Sequence, residues 1–153
     1  MIKLLFAVRA AACLLIALTG STVHAEEPGL MPGAYEVKIG LLLANLPNPV
    51  TNKAAMICIG DGKGNAGGLR VLSDNNPLTV CPISNVHRDS GVLTFDIICP
   101  GINTAIASAR YVIAQQSFEG RIAMKMGGKN MTMTEYQEGH RIGDCDAAGP
   151  PRP

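Results

Sequence analysis

Between Ser117 and Cys145 the chain reads SFEGRIAMKMGGKNMTMTEYQEGHRIGDC, and its apolar side chains recur at every second position. Phe118, Ile122, Met124 and Met126 share one parity, with Glu119, Arg121, Ala123 and Lys125 between them. A period of two belongs to a strand with one buried face, not to an amphipathic helix. Gly127-Gly128-Lys129-Asn130 supplies turn chemistry, and Met131-Thr132-Met133-Thr134 begins a second alternating run. With Gly128-Lys129 at the centre of a type II′ turn, Met126 faces Met131 and Met124 faces Met133. A hairpin of this kind commits its neighbours to antiparallel pairing.

The rest of the chain supplies those neighbours. Ala34–Asn45 alternates through Tyr35, Val37, Ile39, Leu41 and Leu43, and the Pro47 and Pro49 that follow end it because proline cannot donate to a ladder. Thr51–Gly60 reads as a second strand. Val80–Arg88 and Gly91–Cys99 form a hairpin around Asp89-Ser90-Gly91. If Arg88 pairs with Val92, then Cys81 lies opposite Cys99, Ile83 opposite Ile97, Ser84 opposite Asp96 and His87 opposite Leu93. Asn103–Gln115 has helix-forming alanines, but its alternation and its flanks favour a strand. The expectation is an all-β domain: a meander of about seven antiparallel strands curled into an open or closed small barrel, with one irregular Gly-rich insertion.

Residues 1–25 have the form of a cleaved signal peptide: basic Lys3 and Arg9, an apolar run from Ala10 to Leu18, and Val23-His24-Ala25 before Glu26. That run is too short to span a bilayer, and no stop-transfer segment follows. Cys13 lies inside it rather than at the end of a lipobox. Cleavage after Ala25 points to the periplasm and leaves one domain over residues 26–145 with a disordered tail, 146–153. Without Lys3 and Arg9, the 13 basic residues fall to 11 against 12 acidic ones, a net charge of about −1. No basic stripe suggests nucleic acid.

Four cysteines remain, an even count that in an exported chain reads as two disulfides. Their spacings are not those of zinc sites. Directly opposed strand residues are within disulfide reach, so Cys81 is expected to bridge to Cys99, which leaves Cys58 for Cys145. The second bridge closes the longer loop, worth about 4 kcal/mol against about 3 for the hairpin bridge.

Gly60–Gly68, GDGKGNAGG, contains G-x-G-x-x-G at Gly62, Gly64 and Gly67. Dinucleotide binding requires a helix after it inside a parallel unit, and only a short stretch ending at Pro77 follows. A P-loop fails because Ile57 stands at the first glycine position and Gly64 at the Ser/Thr position. An EF-hand fails on Lys63 and Leu72. The segment is expected to be a flexible surface loop.

Pro32-Gly33-Ala34-Tyr35-Glu36-Val37, the hairpin from Cys81 to Cys99, Met131–Thr134 and the closing Arg141-Ile142-Gly143-Asp144-Cys145 together resemble the small exported proteobacterial domain-of-unknown-function family 3617. The resemblance covers almost all of the chain after residue 25 and departs after Cys58, where family members carry a more helical stretch. It implies an exported β-rich domain and brings no activity with it.

For chemistry, the sharpest candidate is the thioether face of Met124, Met126, Met131 and Met133, since methionine selects soft Cu(I) or Ag(I). Phe118 and Ile122 share that face, which favours core packing instead. His140 with Asp144 and Asp146 could ligate a hard metal, although a solvated face is the simpler account. Ser84, Asp96 and His87 do not make a triad, because strict alternation puts His87 on the face opposite the other two. The chain therefore reads as a non-enzyme without a resident cofactor. Its expected role is binding a small apolar ligand or an envelope protein partner on a concave face. Soft-metal binding is the alternative, and a purely structural envelope role comes third.

Overall fold

A computed structural model describes residues 29–50, 52–60, 65–101, 104–129 and 131–145. The expected signal peptide (1–25) and tail (146–153), with Gly62 and Gly64 of the Gly-rich motif, lie outside the described residues. Seven strands make one antiparallel sheet: β1 Gly33–Leu43, β2 Asn52–Ile59, β3 Ile83–Asp89, β4 Val92–Cys99, β5 Ala105–Ile113, β6 Ser117–Met126 and β7 Met131–Gly143. The spatial order is β2-β1-β7-β6-β5-β4-β3. This is the circular order of a meander barrel, opened at one place, between β2 and β3. Among the described residues no helix is long and apolar enough to cross a membrane.

The alternation read from the sequence sorts the sheet into two faces. In β5 the inward set is Ala105, Ala107, Ala109 and Tyr111, and in β6 it is Phe118, Gly120, Ile122 and Met124. The alanines of β5 suit a strand and not a helix here because their small size leaves room inside the curled sheet. Two inward glycines serve the rings beside them. A Cβ on Gly120 would stand 2.2 Å from the Tyr111 ring, and one on Gly139 would stand 2.3 Å from the Phe118 ring. Tyr111 is the register partner of Gly120, and Phe118 of Gly139, so each ring lies over a bare backbone. Phe95, Tyr111, Phe118 and Tyr35 then form a chain of rings with successive centroids 5.8 to 6.0 Å apart. Aromatic pairs favour this spacing.

A one-layer sheet needs a cover for its apolar face. Here the connection from β2 to β3 provides it. Ala66, Leu69, Val71 and Leu78 from that connection are all buried in the same core as Tyr35, Leu93 and Phe95. The expectation of a flexible surface loop over 60–68 is thus corrected for its described part: Ala66 has no exposed surface. Each fully buried aliphatic side chain is worth about 1.5–3 kcal/mol, so the connection is a structural layer.

Two further corrections concern turns. The β3–β4 hairpin closes through the two-residue turn Ser90-Gly91, with φ of 49° and 75°, and pairs Asp89 with Val92. Positive φ at both central positions matches the right-handed twist of the strands. A register shift between Ser84 and His87, with Asn85 at φ 52°, then restores Ile83 opposite Ile97 and Ser84 opposite Asp96. β3 also begins later than expected, at Ile83, because Pro77–Val80 forms a 3-10 turn capped by Asn76. In the β6–β7 hairpin Met124 pairs with Met133 and Met126 with Met131, as expected. Its turn is a 3-10 turn over Gly127–Lys129 rather than type II′.

Candidate functional site

The missing β2–β3 pairing leaves a seam, and the connection that covers the sheet interior passes it. Inward-facing polar residues of β7 hold this connection by its backbone. Glu135, fully buried, accepts the N–H of Leu72 at Oε1 (2.8 Å) and that of Ser73 at Oε2 (3.1 Å). Gln137 donates to the Arg70 carbonyl (2.8 Å) and accepts the Tyr111 hydroxyl (2.9 Å). Asn76 donates to Ser73 Oγ and to Met124 Sδ, and accepts from the Leu78 N–H. Among the described residues no buried polar side-chain atom lacks a partner. Burial, and secondarily the Glu135 carboxylate nearby, push the Tyr111 hydroxyl far above the usual tyrosine range. Sequence reasoning did not find this network. Its signal was there, since Glu135 and Gln137 share the parity of Met131 and Met133.

At one end of the seam the covering does not fill the interior. A cavity of about 240 Å³ is walled by Ile59 at the end of β2, Ala66 and Leu69 of the connection, Leu30 before β1 and Ile113 at the end of β5, with Arg88 of β3 at its rim. Ile59, Ala66 and Leu69 are each at most 2% exposed. Local chemistry shapes the walls. Ala66 and Gly67 both take left-handed backbone (φ 56° and 62°), and the Leu69 N–H closes the turn onto the Ala66 carbonyl at 3.2 Å. Leu30 is placed by the next residue, whose N–H donates to the Gln115 carbonyl (2.8 Å). Arg88 pairs in register with the buried Leu93, so it stands on the inward parity of an edge strand.

A larger groove of about 420 Å³ lies on the outward face, lined by Lys38, Pro49, Lys53, Tyr136 and Glu138. It has the greater volume, but Lys38, Lys53 and Glu138 are exposed side chains and Lys53 is already paired with Asp74 (2.7 Å). The mouth cavity, the smaller of the two, differs from it in having three buried apolar side chains, Ile59, Ala66 and Leu69, in its wall.

The structure disperses most of the residues that the sequence brought forward. Met124 is in the core, Met126 and Met133 are half-buried, and Met131 is 44% exposed. His140 pairs with Glu36 (3.2 Å), while Asp144 pairs with Arg141; Asp146 lies outside the described residues. Among the described residues no group of three or more His, Cys, Asp or Glu could hold a metal ion. The bulge at Asn85 turns His87 to the parity of Thr94, and so to the face of Ser84 and Asp96, which corrects the alternation argument. Asp96 accepts instead from Asn85 Nδ2 and Ser108 Oγ, both at 2.9 Å, and these bonds hold its carboxyl below the usual range. The cysteines pair as Cys81–Cys99 and Cys58–Cys145, with Cα separations of 5.1 and 5.6 Å.

Neither a curated protein nor a solved structure gives a significant match to the chain. A family model does, over residues 30–145, which span every strand and both disulfides. The chain thus belongs to the family described as protein of unknown function (DUF3617), in agreement with the motifs at Pro32–Val37 and Arg141–Cys145.

Proposed function

We propose that this is an exported binding domain, without catalytic activity, that takes a small apolar molecule into the mouth cavity. The observation that carries the reading is the cavity's position and lining. It sits at the one interruption of the circular strand order, with the buried Ile59, Ala66 and Leu69 on its inner side and the half-buried Leu30 and Ile113 nearer its opening. At about 240 Å³ it is below the usual range for drug-sized ligands, roughly 300–1,000 Å³, so a single short chain or ring is the right scale. Export is supported by the pattern of residues 1–25 and by the two disulfides, which persist in oxidising compartments.

Calorimetric titration of the oxidised domain with 1-octanol tests the binding. Saturable one-site binding that disappears in Ile113→Trp, with the fold verified by circular dichroism, is the expected result. Absence of saturable binding to the native domain, or unchanged binding in the variant, would remove the reading. Mass spectrometry of the periplasmic protein tests export, with Glu26 expected as the first residue.

A second reading is soft-cation binding at Met124, Met126, Met131 and Met133, favoured by the register that sets them as two opposed pairs. An Ag(I) titration of the native domain against the variant with all four changed to leucine decides it. Tight binding lost in the variant supports a metal-handling role.

A further inference from the structure

The cavity described above has a chemical asymmetry that an all-apolar ligand does not use. Among the described residues that line it, Arg88 is the one charged side chain. It stands at the opening, exposed to solvent, while the opposite walls, Ile59, Ala66 and Leu69, are buried. Among the described residues it has no ion-pair or hydrogen-bond partner, in contrast to Lys53, Arg141 and His140, each of which is paired. The nearest acid in sequence, Asp89, borders the small adjoining cavity and accepts from the Ser90 hydroxyl.

We propose that the mouth cavity is specific for a short-chain anionic amphiphile, a monocarboxylate whose alkyl tail lies against Ile59, Leu69 and Ile113 and whose headgroup meets the Arg88 guanidinium. This proposal rests on the ligand-binding reading of the same site. Three pieces of physical chemistry support it. A guanidinium matches a planar carboxylate with two parallel N–H donors, which a neutral alcohol cannot reproduce. A water-sized group takes about 30 Å³, so about 240 Å³ accepts a chain of roughly eight such groups. The charge sits at the rim and not in the interior, so headgroup and counter-ion remain partly hydrated and neither pays full desolvation.

The test compares octanoate, 1-octanol and octyltrimethylammonium on the native domain, Arg88→Gln and Arg88→Lys by calorimetry. Octanoate is expected to bind about fivefold tighter than octanol, the effect of one rim ion pair. That preference is expected to fall as salt rises, to vanish in Arg88→Gln and to shrink in Arg88→Lys. Octyltrimethylammonium is expected to bind more weakly than octanol. Equal binding of octanoate and octanol to the native domain would overturn the headgroup assignment and leave the apolar cavity standing. A preference for octanoate that survives in Arg88→Gln would overturn the role of Arg88. If none of the three binds, the cavity reading fails and this inference fails with it.

Discussion

The carboxylate of Glu135 accepts the backbone N–H of Leu72 at 2.8 Å, across 63 residues of sequence and from a position with no solvent exposure. A buried acid that serves two peptide N–H groups is a clamp on the chain that it holds.

Removing the clamp leaves two inward N–H groups, on Leu72 and Ser73, without acceptors. Each unsatisfied buried donor costs about 1–3 kcal/mol. Glu135→Ala is therefore expected to lose about 2–6 kcal/mol in urea unfolding and to expose the connection around Leu72 and Ser73 to proteolysis. Glu135→Gln, which keeps one acceptor, should lose about half as much. Equal stability of Glu135→Ala and the native domain would show that the connection is held by other contacts.

The bare backbone under the rings gives a second expectation. In Gly120→Ala the new methyl group would overlap the Tyr111 ring, and in Gly139→Ala the Phe118 ring. Overpacking of this kind costs about 1–3 kcal/mol, and here the rings have neighbours on their other sides. Gly143→Ala is the control, because nothing lies within 4 Å of its Cβ position, and it should change stability by less than about 0.5 kcal/mol. Thermal melts of the three variants would separate the positions.

The two disulfides should differ in worth. The Cys58–Cys145 bridge spans 87 residues and the Cys81–Cys99 bridge 18. The paired change to serine at Cys58 and Cys145 is expected to cost about 4 kcal/mol, and that at Cys81 and Cys99 about 3. Guanidinium midpoints measured under oxidising conditions would show the order.

Alkaline pH should destabilise the domain through Tyr111. Its hydroxyl is pushed up by burial and by Glu135, so in the folded state it keeps its proton where an unfolded tyrosine, near pH 10, has released it. The unfolded state then binds fewer protons than the native one, and stability falls as pH rises above about 10. Below that pH the contribution is fully present. Burial also raises Tyr35, which acts in the same direction. Tyr111→Phe is expected to lose about 1 kcal/mol at pH 7, for the bond to Gln137, and to flatten the alkaline limb. Urea midpoints between pH 7 and 11 would measure both.

Much of this fold could be read from residues at fixed parity. The hairpin of β6 and β7, the inward set Tyr35, Val37 and Ile39, and the pairing of Cys81 with Cys99 all follow from a period of two. The bridge was legible despite a wrong register at the turn, because the bulge at Asn85 takes up the one-residue error before Ile83. That bulge has no sequence signature beyond an asparagine tolerant of left-handed backbone. The connection was misread for a different reason. Its glycines suggested freedom, whereas Ala66, Leu69, Val71 and Leu78 carry no periodicity that would announce a buried layer. The mouth cavity was not legible at all, since its walls come from β2, β5, the connection and the residues before β1.

The strand order also sets the timing of assembly. Val37 in the first strand lies opposite Gly139 in the last, so the longest strand of the sheet has to exist before β1 can be flanked on both sides. Most pairings here are local hairpins that form early, but closure of β1 on β7 is a long-range contact and a slow one. Until β7 has been made, β1 has a strand partner on one side only, so hairpin formation in chain order cannot complete the sheet.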